Sequence, residues 1–164
     1  MRKFEIISEK EWKKSISTNC EECINIGFKK PFRSTKNSAG YDFISPININ
    51  IEPHSMTLIP TGIKASMESD EVLQIFPRSS IGFKTSIRLA NTVGIIDSDY
   101  YNNIDNEGHI FIKFYNSTDK DYVVNIGDKI AQGIFIKYLT VDDENSNFIK
   151  REGGLGSTGK RFIK

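Results

Sequence analysis

Arg151-Glu-Gly-Gly-Leu-Gly-Ser-Thr-Gly-Lys160-Arg-Phe-Ile-Lys164 is the stretch on which the reading of this chain turns. Gly153, Gly154, Gly156 and Gly159 leave it few side chains with which to build a packed element. Such a backbone can instead turn its N–H groups inward around an anion. Ser157, Thr158, Lys160 and Arg151 add hydroxyl donors and positive charge, a set suited to phosphate oxygens. A solvated chain end fits the same composition, so the stretch alone leaves both readings open. A nucleotide-binding P-loop can be excluded on the letters. Gly154 to Lys160 satisfies G-x-x-x-x-G-K, but Arg161 stands where the Ser or Thr belongs and no helix has room to follow. An anion held here must rest on another surface, with residues 151–164 closing over it as a flexible arm.

Composition bounds the rest. The 164 residues suit a single domain, residues 1–150, large enough to bury a core without disulfides or metal. With 22 Lys and Arg against 21 Asp and Glu, the net charge of +1 supplies no global field toward nucleic acid or membrane. No apolar stretch reaches the length of a membrane span, and Met1-Arg-Lys-Phe-Glu5 lacks a signal-peptide core, so a cytoplasmic protein is expected. Cys20 and Cys23 form a lone C-x-x-C; the two histidines, His54 and His109, are distant in sequence, and Glu21 and Glu22 between the thiols disfavour thiolate. Two ordinary reduced cysteines are expected.

One helix announces itself, near residues 8–17. Ser8-Glu9-Lys10-Glu11 is a capping box flanked by Ile7 and Trp12 at the hydrophobic-staple positions. From Ile24 onward the chain reads as strands and turns. Ile47 to Ile51 and Ile110 to Phe114 alternate with period two, and Leu58–Ala65, Glu71–Phe76, Ile87–Ile96, Tyr122–Ile126 and Ile130–Leu139 are further β-rich runs. Many short strands with little helix imply an all-β sandwich, jelly roll or barrel.

Five stretches place polar or glycine residues against apolar strands: Ser38-Ala-Gly-Tyr-Asp42, Phe76-Pro-Arg-Ser-Ser80, Asn91-Thr-Val-Gly-Ile-Ile-Asp97-Ser-Asp-Tyr100, Gly127-Asp-Lys-Ile-Ala-Gln132, and the glycine-rich arm. Each alone has an ordinary structural explanation. In this order, from about Pro31 to Lys160, they resemble the five motifs of the trimeric dUTP pyrophosphatases (dUTPases), and Leu58 to Ala65 is similar to a framework strand of that family. The resemblance implies a dUTPase-like jelly roll or distorted β-barrel, assembled as a homotrimer with active sites shared between subunits. It implies hydrolysis of dUTP to dUMP and pyrophosphate with Mg2+.

It also assigns roles. Asp42 would hold the metal through water. Arg78, Ser79, Ser80, Gln132 and Arg151 would serve the phosphates, with Ser79 near the leaving bridge oxygen. Asp97 would activate the attacking water, Asp99 being the competitor on spacing alone. Asn91, Gly94, Ile96 and Ile110 would hold uracil, and Tyr100 would pack on deoxyribose. Leu155, Gly156, Ser157 and Thr158 would close the arm over the nucleotide.

The chain departs from the pattern in four places, one of them Arg151, which lies one residue nearer the glycine pair than is usual. Tyr101 to Glu107 intervene before Gly108, which predicts a longer, more mobile hairpin tip whose strands still pair. Ser80 replaces a glycine, and Leu155 stands where the family stacks an aromatic over the base; His109 or Tyr101 is the expected substitute surface. A dCTP deaminase of related fold and a non-catalytic trimer that signals nucleotide state are the competing functions. A regulatory protein partner is compatible with the fold, but nothing in the sequence identifies one.

Overall fold

Short antiparallel strands dominate the regular secondary structure of the computed structural model, which describes residues 1–16, 27–144 and Gly153. Cys20, Cys23 and, Gly153 apart, the expected arm lie outside the described residues. In chain order the elements are β1 (Lys3–Ile6), α1 (Glu9–Ser15), β2 (Tyr41–Ile44), β3 (Ile49–Ile51), β4 (Met56–Pro60), β5 (Ile63–Ser66), β6 (Glu71–Pro77), α2 (Ser79–Lys84), β7 (Ile87–Leu89), β8 (Gly94–Asp97), β9 (Phe111–Asn116), β10 (Tyr122–Val124) and β11 (Lys129–Lys137). A 3₁₀ turn, Ser98–Tyr100, follows β8. The strands form sheets in the orders β2-β11-β6-β8, β4-β9-β7, β1-β5 and β10-β3. Phe43, Ile51, Ile59, Leu73, Ile112, Phe114 and Ala131, drawn from six strands, are wholly buried in one core. This is the expected all-β jelly-roll architecture. No helix among the described residues is long and apolar enough to cross a membrane.

Two expected strands are each broken in two. Leu58–Ala65 turns at Gly62, where φ is +73°, so that β4 joins β9 while β5 joins β1. Ile87–Ile96 breaks at Thr92, with φ +65°, sending β7 to β9 and β8 to β6. Both breaks occur where the backbone enters the left-handed region and reverses. Helix α2 and strands β1 and β2 had no periodic signal. Phe4 explains β1: its ring packs against Tyr41, Phe43 and Phe135 at centroid distances of 5.3, 5.6 and 5.4 Å.

The 101–107 segment is a packed loop and not a hairpin tip. Strands β8 and β9 on its two sides lie in different sheets and do not pair. Asn103 and Asn106 are buried within it, and Asn102 N–H donates to the Glu107 carbonyl at 3.0 Å. Asn102 (φ +56°), Glu107 (φ +58°) and Gly108 (φ +82°) are all left-handed. A Cβ at Gly108 would stand 2.6 Å from the Tyr100 carbonyl oxygen, so only glycine fits.

The loop is bolted to the N-terminal helix. Ser8 caps α1, accepting from the Glu11 N–H at 3.2 Å. The capping box is then completed from a distance: Glu107, not Glu11, accepts from the Ser8 N–H at 3.0 Å and from the Ser8 hydroxyl. Lys64 also lies 3.4 Å from Glu107, and Lys14 donates to the Asp105 carbonyl at 2.5 Å. The Ser8 hydrogen bond, foremost, holds the Glu107 carboxyl below the usual glutamate value, against the opposing effect of burial. A group depressed in the folded state stabilises above its unfolded pKa, and that contribution fades as pH falls through the folded value. Glu107→Gln should therefore lose stability at neutral pH and show a flatter decline on acidification from about pH 4.5 downward. A Ser8→Ala/Glu107→Gln double-mutant cycle in urea should give a coupling above ~0.5 kcal/mol; simple additivity would show that the two residues do not interact.

Candidate functional site

Strand β11 brings distant residues into one row. Gln132 is opposite Asp42 of β2 on one side and Phe76 of β6 on the other. Arg78 and Ser79 follow directly from β6, so three of the five sequence stretches meet at one end of the sheet. A register shift between Lys129 and Ala131 bends the start of β11, as a bulge does. At this bend, Lys129 Nζ stands 2.9 Å from Asp42 Oδ2. Arg78 Nε stands 3.1 Å from Asp42 Oδ1, and the Ser34 hydroxyl donates to Oδ2 at 2.7 Å. The Gln132 amide donates to the Pro77 carbonyl at 3.2 Å.

Burial alone would raise the Asp42 carboxyl. Hydrogen bonds from Lys129 and Ser34, with the Arg78 charge, outweigh it and hold the group below the usual aspartate range. Arg78, Lys84 and Lys129, together with Ser80 and Asp128, line an open pocket of about 480 Å³. Three cations around one opening suit a polyanion. Among the described residues no group of three or more His, Cys, Asp or Glu could cage a metal ion.

The parting of β8 from β9 creates a second, smaller cleft of about 80 Å³. Asn91, Gly94, Ile96, Tyr100 and Ile110 all line it, so five expected residues do come together. Gly94 is needed there for its lack of bulk: a Cβ would meet Ile75 Cβ at 3.0 Å. Tyr100 is buried, and its hydroxyl donates to the His109 carbonyl at 2.8 Å.

Asp97 does not join the Arg78 group within one chain. It ends β8 opposite Val72, six residues back along β6 from Arg78. At strand spacing that separation is roughly 20 Å. Asp97 is exposed, as is Asp99 in the following turn. Arg151, Leu155, Gly156, Ser157 and Thr158 lie outside the described residues.

Of the two expected substitutes for an aromatic lid, His109 is not placed for that task. His109 is wholly buried, its ring 4.1 Å from that of Phe111 and 6.3 Å from that of Trp12. Its Nε2 accepts from the Gly62 N–H at 2.9 Å, which leaves the proton on Nδ1, facing Glu11 Oε1 at 3.6 Å. Burial pushes its pKa down to about 3, so the ring is neutral. The Tyr101 hydroxyl donates to Glu5 of β1, and Lys64 Nζ sits 5.5 Å from its ring centre. Two residues that sequence reasoning passed over, Ser34 and Lys129, hold Asp42. Lys129 had a signal, lying inside Gly127–Gln132; Ser34 had none.

The dUTPase family model matches residues 27–159. A deoxyuridine 5'-triphosphate nucleotidohydrolase of Lactococcus lactis subsp. lactis (strain IL1403) is 47% identical over 136 residues, 82% of this chain and 91% of that protein. The protein of the same name from Shewanella woodyi is 36% identical over 136 residues, 79% of this chain and 86% of its own length. The crystal structure of a Streptococcus mutans dUTPase superposes with a TM-score of 0.70 at 37% identity, covering 85% of this chain and 98% of that one. The dUTPase of Staphylococcus aureus phage phi11 shares the fold, with a TM-score of 0.67 at 20% identity over 92% of this chain and 98% of its own. The chain belongs to the dUTPase family.

Proposed function

We infer that this chain hydrolyses dUTP to dUMP and pyrophosphate, by attack of water on the α-phosphorus, in a homotrimer whose active sites are shared between subunits. The reaction limits uracil in DNA and supplies dUMP for dTMP synthesis, and we place it in the cytoplasm. The observation that carries the reading is the cleft between β8 and β9, which gathers Asn91, Gly94, Ile96, Tyr100 and Ile110 around a space of base-like size.

In that cleft the Asn91 side chain and the adjoining backbone pair with the uracil edge. Narrow walls exclude the extra methyl of thymine, and Tyr100 leaves no room for a ribose 2′-hydroxyl. Arg78, Ser79, Ser80 and Gln132 take the phosphate oxygens, with Lys129 beside them. Their task is electrostatic: a tetra-anionic chain repels an incoming nucleophile unless fixed donors offset its charge. Ser79 stands at the leaving oxygen. Asp97 accepts the proton of the attacking water, and Arg151, Leu155, Gly156, Ser157 and Thr158 close over the bound nucleotide.

The residues fit a magnesium ion held mainly by substrate. Magnesium keeps several waters and commonly takes one or two carboxylates plus phosphate oxygens, and Asp42 is a carboxylate held below the usual aspartate range by Lys129, Ser34 and Arg78, two of which line the cationic pocket. Bound there through water, the ion would neutralise phosphate charge and order the triphosphate.

The separation of about 20 Å between Asp97 and Arg78 supports sharing between subunits. A general base acts within hydrogen-bond reach of its proton, so Asp97 of one copy must serve the phosphates held by another. Co-expressing Asp97→Asn with Arg78→Ala tests this. Each variant alone should be nearly inactive, while a randomly assorted equimolar mixture should regain about a quarter of normal turnover, because each mixed trimer keeps about one site in three with both halves intact. No recovery in a verified mixed oligomer would mean that each chain builds its own site.

The reaction itself is tested by pyrophosphate release from dUTP, dTTP, dCTP and UTP, with and without magnesium. Strong preference for dUTP with magnesium is expected; ammonia released from dCTP would overturn the assignment. Asp97→Asn should keep nucleotide affinity and lose at least ~100-fold in turnover, and a nearly active variant would remove Asp97 from the base role.

A further inference from the structure

The interior of the 101–107 loop is built around one side chain, Tyr100. Asn106 is buried, and both ends of its amide are committed. Its Nδ2 donates to the Tyr100 hydroxyl at 2.7 Å, and its Oδ1 accepts from Asn103 Nδ2 at 2.8 Å and from the Gly108 N–H at 3.1 Å. Asn103 Nδ2 also donates to the Tyr100 carbonyl at 2.8 Å. The Tyr100 hydroxyl passes its own proton to the His109 carbonyl at 2.8 Å. The phenol oxygen is thus held both as acceptor and as donor.

A phenylalanine would fill the same volume without burying a hydroxyl. A buried hydroxyl is costly unless paired, and a fully paired polar network favours a single orientation of its members. The network is itself anchored from outside. Lys14 holds Asp105, Glu107 holds Ser8, and the His109 ring is packed against Phe111. Only asparagine-like chemistry, a donor and an acceptor on one short planar group, serves Tyr100, Asn103 and Gly108 together.

We propose that Asn106 is a sugar-specificity positioning residue: by fixing the far end of the Tyr100 ring it holds the cleft wall close enough to reject a 2′-hydroxyl. This rests on the preceding reading of Tyr100 as the surface that packs on deoxyribose. An added hydroxyl is a small steric signal, and a wall free to tilt cannot register it. Asn106 touches no substrate and acts through Tyr100 alone.

The test is the ratio of kcat/KM for dUTP to kcat/KM for UTP, measured on the same preparation of the magnesium-loaded enzyme. Partial unfolding lowers both values equally and leaves the ratio unmoved. Asn106→Ala should raise KM for dUTP with kcat little changed, and lower the ratio roughly 10-fold, within the range that small steric differences produce. Tyr100→Phe, which keeps the ring and removes its anchor, should lower the ratio in the same direction. It decides the matter if Asn106→Ala does not fold. An unchanged ratio in the folded variants overturns the proposal while leaving the dUTPase reading intact. A parent protein that does not prefer dUTP to UTP overturns both.

Discussion

Strand β11 sets the register on which the rest of the molecule depends. Lying between β2 and β6, it must satisfy two hydrogen-bond ladders at once, and a slip of one residue would reverse the faces of its side chains. Gly133 shows how little freedom remains: a Cβ there would meet Phe43 at 2.8 Å and Leu73 at 2.9 Å. With the register held, Gln132 must stand between Asp42 and Phe76, and Arg78 must emerge beside them. The candidate phosphate site is a consequence of sheet packing before any question of charge arises.

Charge then gives the site its character. Asp42 is buried, and an unpaired buried carboxylate would favour its neutral form. Arg78, Lys129 and Ser34 keep it ionised, and in turn Asp42 offsets two cations that crowd one pocket. A polyanion arriving there meets donors already oriented by the carboxylate rather than solvated and loose. The small cleft follows the opposite logic. Its walls are largely apolar, and it exists because β8 and β9 were drawn into different sheets.

The loop after Tyr100 ties the N-terminal helix to this cleft. Glu107 replaces the local partner that a capping box would use, so α1 and the loop stabilise one another across about a hundred residues of chain. Glu11, released from that duty, faces the buried His109 instead. The helix therefore belongs to the architecture of the cleft even though it contributes no residue to its lining.

The fold class, the N-cap at Ser8, the helix beyond it and the candidate residues of the five motifs are all legible in the order of the amino acids. These are local matters: period-two alternation, a hydroxyl three residues before a glutamate, glycines and hydroxyls in short ordered strings. Strand pairing is settled by long-range packing, which separates Asp97 from Arg78 while uniting Asp42 with Gln132. Only the tertiary structure shows the 101–107 segment to be a packed loop, because composition reads Asn-rich sequence as solvated and cannot see that Asn103 and Asn106 find partners in Tyr100 and in each other. His109 illustrates the same limit. Its letter suggested an exposed aromatic surface, and its burial depends on Trp12, which lies far away along the chain, as well as on its near neighbour Phe111.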